Sequence, residues 1–502
     1  MAVASGGMTR LGESSGDSEG YPVIGLVPPV RLQSLGDRSF CADHGLRWAY
    51  MSGAMAGGIA SESIVEAMAR GGMLGIFGSA GLRLSRVEQA IDRIQQNVAG
   101  AAFGVNLIHS PGEPGLERGI TDLYLRKGIR LIEASAFLDL TPNVVRFRLQ
   151  GIHQDASGRI VTPNRVIAKV SRVEVATKFL APAPAKILSE LVVAGELTSE
   201  QARLAERVPV AQDVTAEADS GGHTDNRPLV SLLPTLLALR DRMMERYQYA
   251  QPLRVGAAGG ISTPASAAAA FAMGAAYLVT GSVQQACVES GTSDLVRQML
   301  AEAEQADCIM APAADMFEMG VKLQVLKRGT MFAMRAGKLY ELYRQYPGLD
   351  ALPAAERTNL EKTLFRISIE EVWQQTQTYF TERDPGQIER AERDPKHKMA
   401  LVFRWYLGQS SRWANSGDVS RRLDYQIWCG PAMGAFNEWT RGTFLEEPRN
   451  RQVLTVAYNL LYGAAVAQRL QNLRSTGFPL TPDLERIAPR PMSELSVLIS
   501  RS

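Results

Sequence analysis

Residues 254–282 read RVGAAGGISTPASAAAAFAMGAAYLVTGS. Residues 254–257 predict a short buried strand, broken by Gly259-Gly260. Thr263 is a good N-cap, and Pro264 suits the first helical position, where a missing N–H costs nothing. Residues 265–273 predict a helix of small residues that packs closely on a sheet, ended by Gly274 in the left-handed region. Residues 276–280 predict a second buried strand, broken by Gly281-Ser282. So short a strand–helix–strand span demands a parallel, right-handed crossover. Each strand ends in backbone N–H groups next to glycine, with a helix N-terminus beyond. At the last two strands of a (β/α)₈ barrel such a pair forms a phosphate site. The plainer alternative is that these glycines are only tight turns.

Upstream residues supply six more strands and turns. Strands are predicted at 46–51, 73–77, 102–105, 129–134, 166–170 and 208–215, with helices between them. With the two strands above, the count reaches the eight that a barrel needs. Ser63 and Glu66 read as a capping box, and 178–205 reads as helical. The turn after the first strand, Ser52-Gly53-Ala54-Met55-Ala56-Gly57-Gly58, has almost no side chains, so a flat ligand can approach its backbone. Asn106, Glu133 and Ser135 fall at strand ends, where side chains enter a barrel mouth. Lys169 interrupts an apolar strand, which is costly unless it is paired or faces a polar cavity. The sixth strand runs into EADSGGHTDNRP, residues 217–228, the densest group of catalytic residue types in the chain. His223, one of five histidines, is placed there to give or take a proton.

The chain of 502 residues exceeds one ordinary core, so a second region is expected. The expected division is a disordered lead at 1–20, a barrel at 21–337 and a helical cap with C-terminal helices at 338–502. After residue 283 helical periodicity replaces short strands, and Met310, Met316, Met319, Leu323 and Leu326 fall at roughly helical spacing. A net charge of +2 gives no case for nucleic acid or an anionic membrane. The four scattered cysteines argue against a disulfide framework or a metal site and suit a cytoplasmic location.

These residues suit a ring cofactor with one phosphate tail. Gly259, Gly260, Gly281 and Ser282 would take the phosphate, and Ser52, Gly53, Ala54 and Met55 would floor the ring. Asn106 would bond a ring edge, and Lys169 would stabilise negative charge beside a reduced flavin. FMN fits better than FAD or a nicotinamide, because one phosphate site is present and no Gly-x-Gly-x-x-Gly opens a βαβ unit. Phosphosugar isomerases and aldolases also use late-strand phosphate sites, and Lys169 as a Schiff base stays open.

The segments AMAGGIASESIVEAMARGGMLGIFG, FGVNLI, VIAKVSR, EADSGGHTDNRP, AAGGIS and VTGS together resemble the nitronate monooxygenase-like FMN barrels. With ADMFEMGVKLQVLKRGTMFAMRAGKLYELY and CGPAMGAFNEW, the chain resembles the PfaD family, the trans-acting enoyl reductases of polyunsaturated fatty acid and polyketide synthases. That resemblance implies an FMN-dependent, NADPH-consuming reduction of an enoyl thioester held on an acyl carrier protein. It also implies that Gly221 and Gly222 contact the flavin and that His223 is the active-site histidine. His223 would donate the proton or stabilise the enolate. A nitronate monooxygenase is the nearest rival, and a non-catalytic scaffold within a synthase is another. A homodimer is a further expectation. Arg404, Arg412, Arg421 and Arg422 are the expected basic patch for an acidic carrier protein.

Overall fold

The computed structural model describes residues 2–3, 9–10, 29–111, 114–478 and 480–500. Eight parallel strands close into a barrel: β1 Tyr50–Ser52, β2 Leu74–Phe77, β3 Gly104–Ile108, β4 Leu131–Ser135, β5 Arg165–Val170, β6 Asp213–Glu217, β7 Arg254–Ala258 and β8 Leu278–Thr280. The ring closes where Thr280 of β8 pairs with Ser52 of β1. Crossover helices cover the barrel with amphipathic faces. In Leu84–Val98 the buried residues are Val87, Ala90, Ile91, Ile94 and Val98, one stripe at helical spacing.

The opposite end of the barrel from the site is closed by charge. Arg254 Nε donates to Asp213 at 2.6 Å, and its Nη1 donates to Asp43 at 2.7 Å. His44 Nε2 lies 2.8 Å from the same Asp213. Burial pushes the Asp213 carboxyl up, but His44 and Arg254 outweigh it and hold the group down at about 2.

Several local expectations change. The first strand begins at Tyr50, not at 46. Ser61, not Ser63, caps the helix Glu62–Arg70, accepting from Ile64 N; Glu66 instead accepts from Arg93 and Asn97. The single helix at 178–205 is three, Val173–Leu180, Ala185–Val193 and Ser199–Ala205. Pro182 and Pro184 break it because each removes a backbone donor. Strands also persist beyond residue 283. β9 Cys308–Pro312 and β10 Lys322–Leu326 pair antiparallel, and the two-residue strand Gly222–His223 joins the free edge of β10. The methionine run is therefore not one helix: Met310 is on β9, and Met319 is exposed in the turn.

The packing does not divide at 337. Residues 311–407 contribute a separate apolar core around Phe317, Phe332, Leu339, Phe403 and Tyr406. The chain then returns to the barrel, whose core includes Tyr425, Phe436, Val456 and Leu460. Helix Val453–Ser475 lies against the small-residue helix Pro264–Ala272. A Cβ on Gly463 would stand 2.5 Å from Pro264 Cγ, so small residues on both sides permit the contact. Of the expected disordered lead, Ala2–Val3 and Thr9–Arg10 pair antiparallel, and the rest lies outside the described residues. Among the described residues no helix is long and apolar enough to cross a membrane.

Candidate active site

Two connected cavities occupy the C-terminal mouth of the barrel. The larger, about 940 Å³, runs between the mouth and the helical insert, and the smaller, about 80 Å³, sits beside β7 and β8. Ala54, Met55, Lys169, Glu217, Gly221 and Trp428 line both, which makes them one site.

The small recess is built from glycine turns. Gly259 has φ +84°, and a Cβ there would stand 2.6 Å from the Ala218 carbonyl carbon. Only glycine combines that backbone with so close an approach. The N–H groups of Gly259, Gly260 and Ile261 have no acceptor among the described residues. Ser220 Oγ, also on this recess, is buried without a partner. Ser282 Oγ accepts from Gly430 N at 3.2 Å, which leaves its own O–H to donate. At Gly281 an added Cβ would meet no protein atom within 4 Å, so it would stand in the recess. A pocket of unsatisfied donors fits an acceptor-only group such as a phosphate ester.

Beside it lies a buried charge cluster. Lys169 Nζ is 3.0 Å from Glu217 Oε1 and 3.9 Å from Glu133 Oε2. Burial opposes the lysine's charge, but the two carboxylates outweigh it and raise its pKa. Glu133 is wholly buried, and desolvation pushes its carboxyl up despite Lys169 and the Ala54 N–H that donates to it at 2.9 Å. Its other oxygen, Oε1, has no partner. Asn106 donates through Nδ2 to Glu133 O and Ser135 Oγ, both at 3.0 Å, so its ring-facing capacity is the amide oxygen.

His223 lines the larger cavity from the edge of β10, opposite Leu323. Its Nε2 lies 3.1 Å from Asp315 Oδ1, a residue 92 positions away. Burial lowers the imidazole pKa, yet the Asp315 carboxylate reverses this and holds it above the ordinary 6.5. The side chains remain 30% and 41% exposed, too open for the pair to add much stability. Gly221 is fixed by packing: a Cβ there would stand 2.8 Å from Cys429 N, and one on Gly430 would stand 2.8 Å from Gly221 N.

The cavities thus gather Gly53, Ala54, Met55, Asn106, Lys169, Gly221, Gly222, His223, Gly259, Gly260, Gly281 and Ser282. Ser52 is not among them. It is wholly buried in β1 beneath the turn, and its hydroxyl has no partner. Sequence reasoning missed Asp315, and it left Glu133, Glu217 and Ser220 without roles. A glutamate inside the apolar strand LIEAS is the one local signal that was available. Trp428 lines both cavities. The basic patch does not form as expected. Arg421 is buried, with Cζ 3.7 Å from the Trp413 ring centroid, whereas Arg404 and Arg412 line the cavity.

Comparison with known proteins places this geometry. Residues 49–332 match the family model described as nitronate monooxygenase. Residues 346–425 match that of the inserted helical domain of [acyl-carrier-protein] S-malonyltransferase. A polyunsaturated fatty acid synthase polypeptide of Thraustochytrium sp. is 50% identical over 90% of this chain and 30% of its own length. Polyketide biosynthesis protein PksE of Bacillus subtilis is 45% identical over 88% of this chain and 58% of its own. The chain therefore spans less than two thirds of either relative. The crystal structure of the enoyl reductase domain of MlnA, from the macrolactin biosynthesis cluster of Bacillus amyloliquefaciens, superposes with a TM-score of 0.83 at 39% identity. That match covers 88% of this chain and 99% of that domain.

Proposed function

Because this chain belongs to the nitronate monooxygenase family, as a PfaD-type enoyl reductase barrel, we propose that it reduces the α,β double bond of an enoyl thioester carried on an acyl carrier protein. FMN is its resident cofactor and NADPH its reductant, and it works in the cytoplasm alongside a fatty acid or polyketide synthase. The observation that carries this reading is His223. Its imidazole, whose proton affinity the Asp315 carboxylate raises, lines a long cavity next to a recess of hydrogen-bond donors suited to phosphate.

Gly259, Gly260, Gly281, Ser282 and Ser220 would hold the FMN phosphate. Gly53, Ala54 and Met55 would lie beneath the ring, with Gly221 and Gly222 beside it. Lys169 and the Asn106 amide oxygen would take its polar edge. When bound, FMN supplies hydride for the β carbon of the substrate. His223 supplies the proton. Asp315 occupies Nε2, so Nδ1 of the imidazolium is the atom that gives a proton to the α carbon or hydrogen-bonds the developing enolate oxygen. Trp428 and residues of the helical insert line the cavity over the mouth, where they would limit water at the reacting atoms.

Anaerobic absorbance titration of the purified protein tests this. NADPH is expected to bleach the yellow enzyme, and a crotonyl thioester to restore the colour without oxygen. Colour restored only by oxygen or a nitronate replaces the reductase with a monooxygenase. No flavin after incubation with FMN overturns the cofactor assignment.

A further inference from the structure

The side of the barrel mouth away from the small recess carries a run of apolar side chains. The recess stands on β7 and β8, and β3 and β4 lie four strands round the ring from them. Ile108, the last residue of β3, follows Asn106 by two places and so shares its face toward the mouth. Ile108, Ile120, Phe137 and Val175 all line the large cavity, and none of them lines the recess. They come from separate elements. Ile120 is on helix Pro114–Arg126, Phe137 is in the turn after β4, and Val175 is on helix Val173–Leu180.

Printed ring contacts and hydrogen bonds tie these elements together. Phe137 stacks on His109 with centroids 5.1 Å apart, and it meets Phe179, one turn after Val175, edge-on at 5.7 Å. His109 Nδ1 lies 3.1 Å from Glu117 Oε2, one turn before Ile120. Glu117 also lines the cavity, and its other oxygen accepts from Thr141 and Asn143, so its carboxylate is engaged on both sides. Ala136, between β4 and Phe137, has φ +60°, which a residue with a Cβ adopts only at a cost. Such strain persists where the surroundings over-determine it, and it clusters at ligand clamps. Leu138 lines the same cavity and stays 41% exposed, so the apolar surface continues outward from the mouth. Proton and hydride transfer have no use for that surface, and an alkyl chain does.

We propose that Ile108, Ile120, Phe137 and Val175 form the subsite for the acyl chain of the substrate, beyond its double bond. The inference rests on the enoyl reductase reading and adds to it the part of the substrate that is read for length. The thioester stays near His223, and the chain runs past the ends of β3 and β4 toward Leu138. Each methylene that enters leaves water, so the site favours longer chains over the four-carbon crotonyl group.

Calorimetry on the FMN-loaded full chain, with the butyryl and octanoyl thioesters of N-acetylcysteamine as probes, tests the subsite without turnover. We expect the octanoyl probe to bind at least about tenfold tighter, since each fully buried methylene is worth about fourfold. V175F, which fills the subsite, should erase that preference. I120A, which removes apolar contacts but adds no bulk, should reduce it, with circular dichroism as the folding check on both. Equal affinities in the native chain, or an unchanged preference in V175F, overturn the proposal. If V175F does not fold, an unchanged preference in I120A overturns it equally. If no enoyl thioester reoxidises the reduced enzyme, yet the length preference in binding is present and is lost in V175F, the reductase reading falls and the subsite stands. Reduction of crotonyl and octenoyl thioesters with no length preference in binding does the reverse.

Discussion

The barrel mouth and the helical insert face each other across one cavity and line it with different kinds of side chain. On the barrel side each functional charge has a partner. Lys169 sits between Glu133 and Glu217, His223 rests on Asp315, and Arg172 grips Asp225 through two bonds of 2.8 and 2.9 Å. That grip, opposed by partial burial, holds Asp225 down at about 2. On the insert side, Trp405 stands edge-on to Trp413, and the Arg412 guanidinium carbon lies 5.5 Å from the Tyr379 ring centroid. Paired charges fix geometry and proton affinity, whereas ring and guanidinium faces give contact area without fixing a proton. The barrel side is held in place by its ion pairs, and the insert side by ring packing.

The largest effect is expected where pairing is deepest. Lys169→Ala leaves the wholly buried Glu133 without its cation. Denaturant unfolding should show a loss of about 3 kcal/mol, and bound flavin should fall with it. Adding Glu133→Gln should recover part of the loss, because no buried carboxylate then remains unpaired. Unchanged stability in the single variant would mean that the barrel wall does not depend on pairing.

His223→Ala should slow anaerobic reoxidation by a crotonyl thioester by about 100-fold or more, with flavin content unchanged. Normal reoxidation would remove the histidine from the chemistry.

Asp315→Asn should alter the pH profile more than the maximum rate. In the native chain burial pushes the imidazole down and Asp315 overrides it, so the charged form persists above 6.5 and is lost as pH climbs through the raised value. Without the carboxylate the push from burial is unopposed, and the alkaline limb of kcat/KM should move to lower pH. A limb that stays put assigns that ionisation to another group.

The smallest effect is expected at Ser52→Ala. The hydroxyl is buried and unpartnered, so stability should change by about 1 kcal/mol or less, and flavin content should not change. Loss of flavin would return Ser52 to the site.

Most of the barrel could be read locally because its signals are local. Strand β7, the Gly259-Gly260 turn, the Thr263 cap with Pro264 behind it, and β8 lie within one short span and show the period of a crossover. The helical boundaries were less legible. At Ser61 and Ser63 two good capping residues stand two positions apart, and only the path of the chain selects Ser61. The strands β9 and β10 were hidden because their apolar residues match a helical period about as well as an alternating one.

The chain order of residues dictated the eight-stranded barrel, the glycine-built recess and a histidine shortly after β6, since each depends on neighbours a few residues apart. Folding in three dimensions was needed to bring Asp315 to His223, Glu133 to Lys169, and Gly430 against Gly221. Those contacts join segments far apart in the chain, and no periodicity or turn chemistry specifies them. They set which groups hold a proton and which hold a charge, because side-chain pKa depends on what stands within a few ångströms and how much water remains.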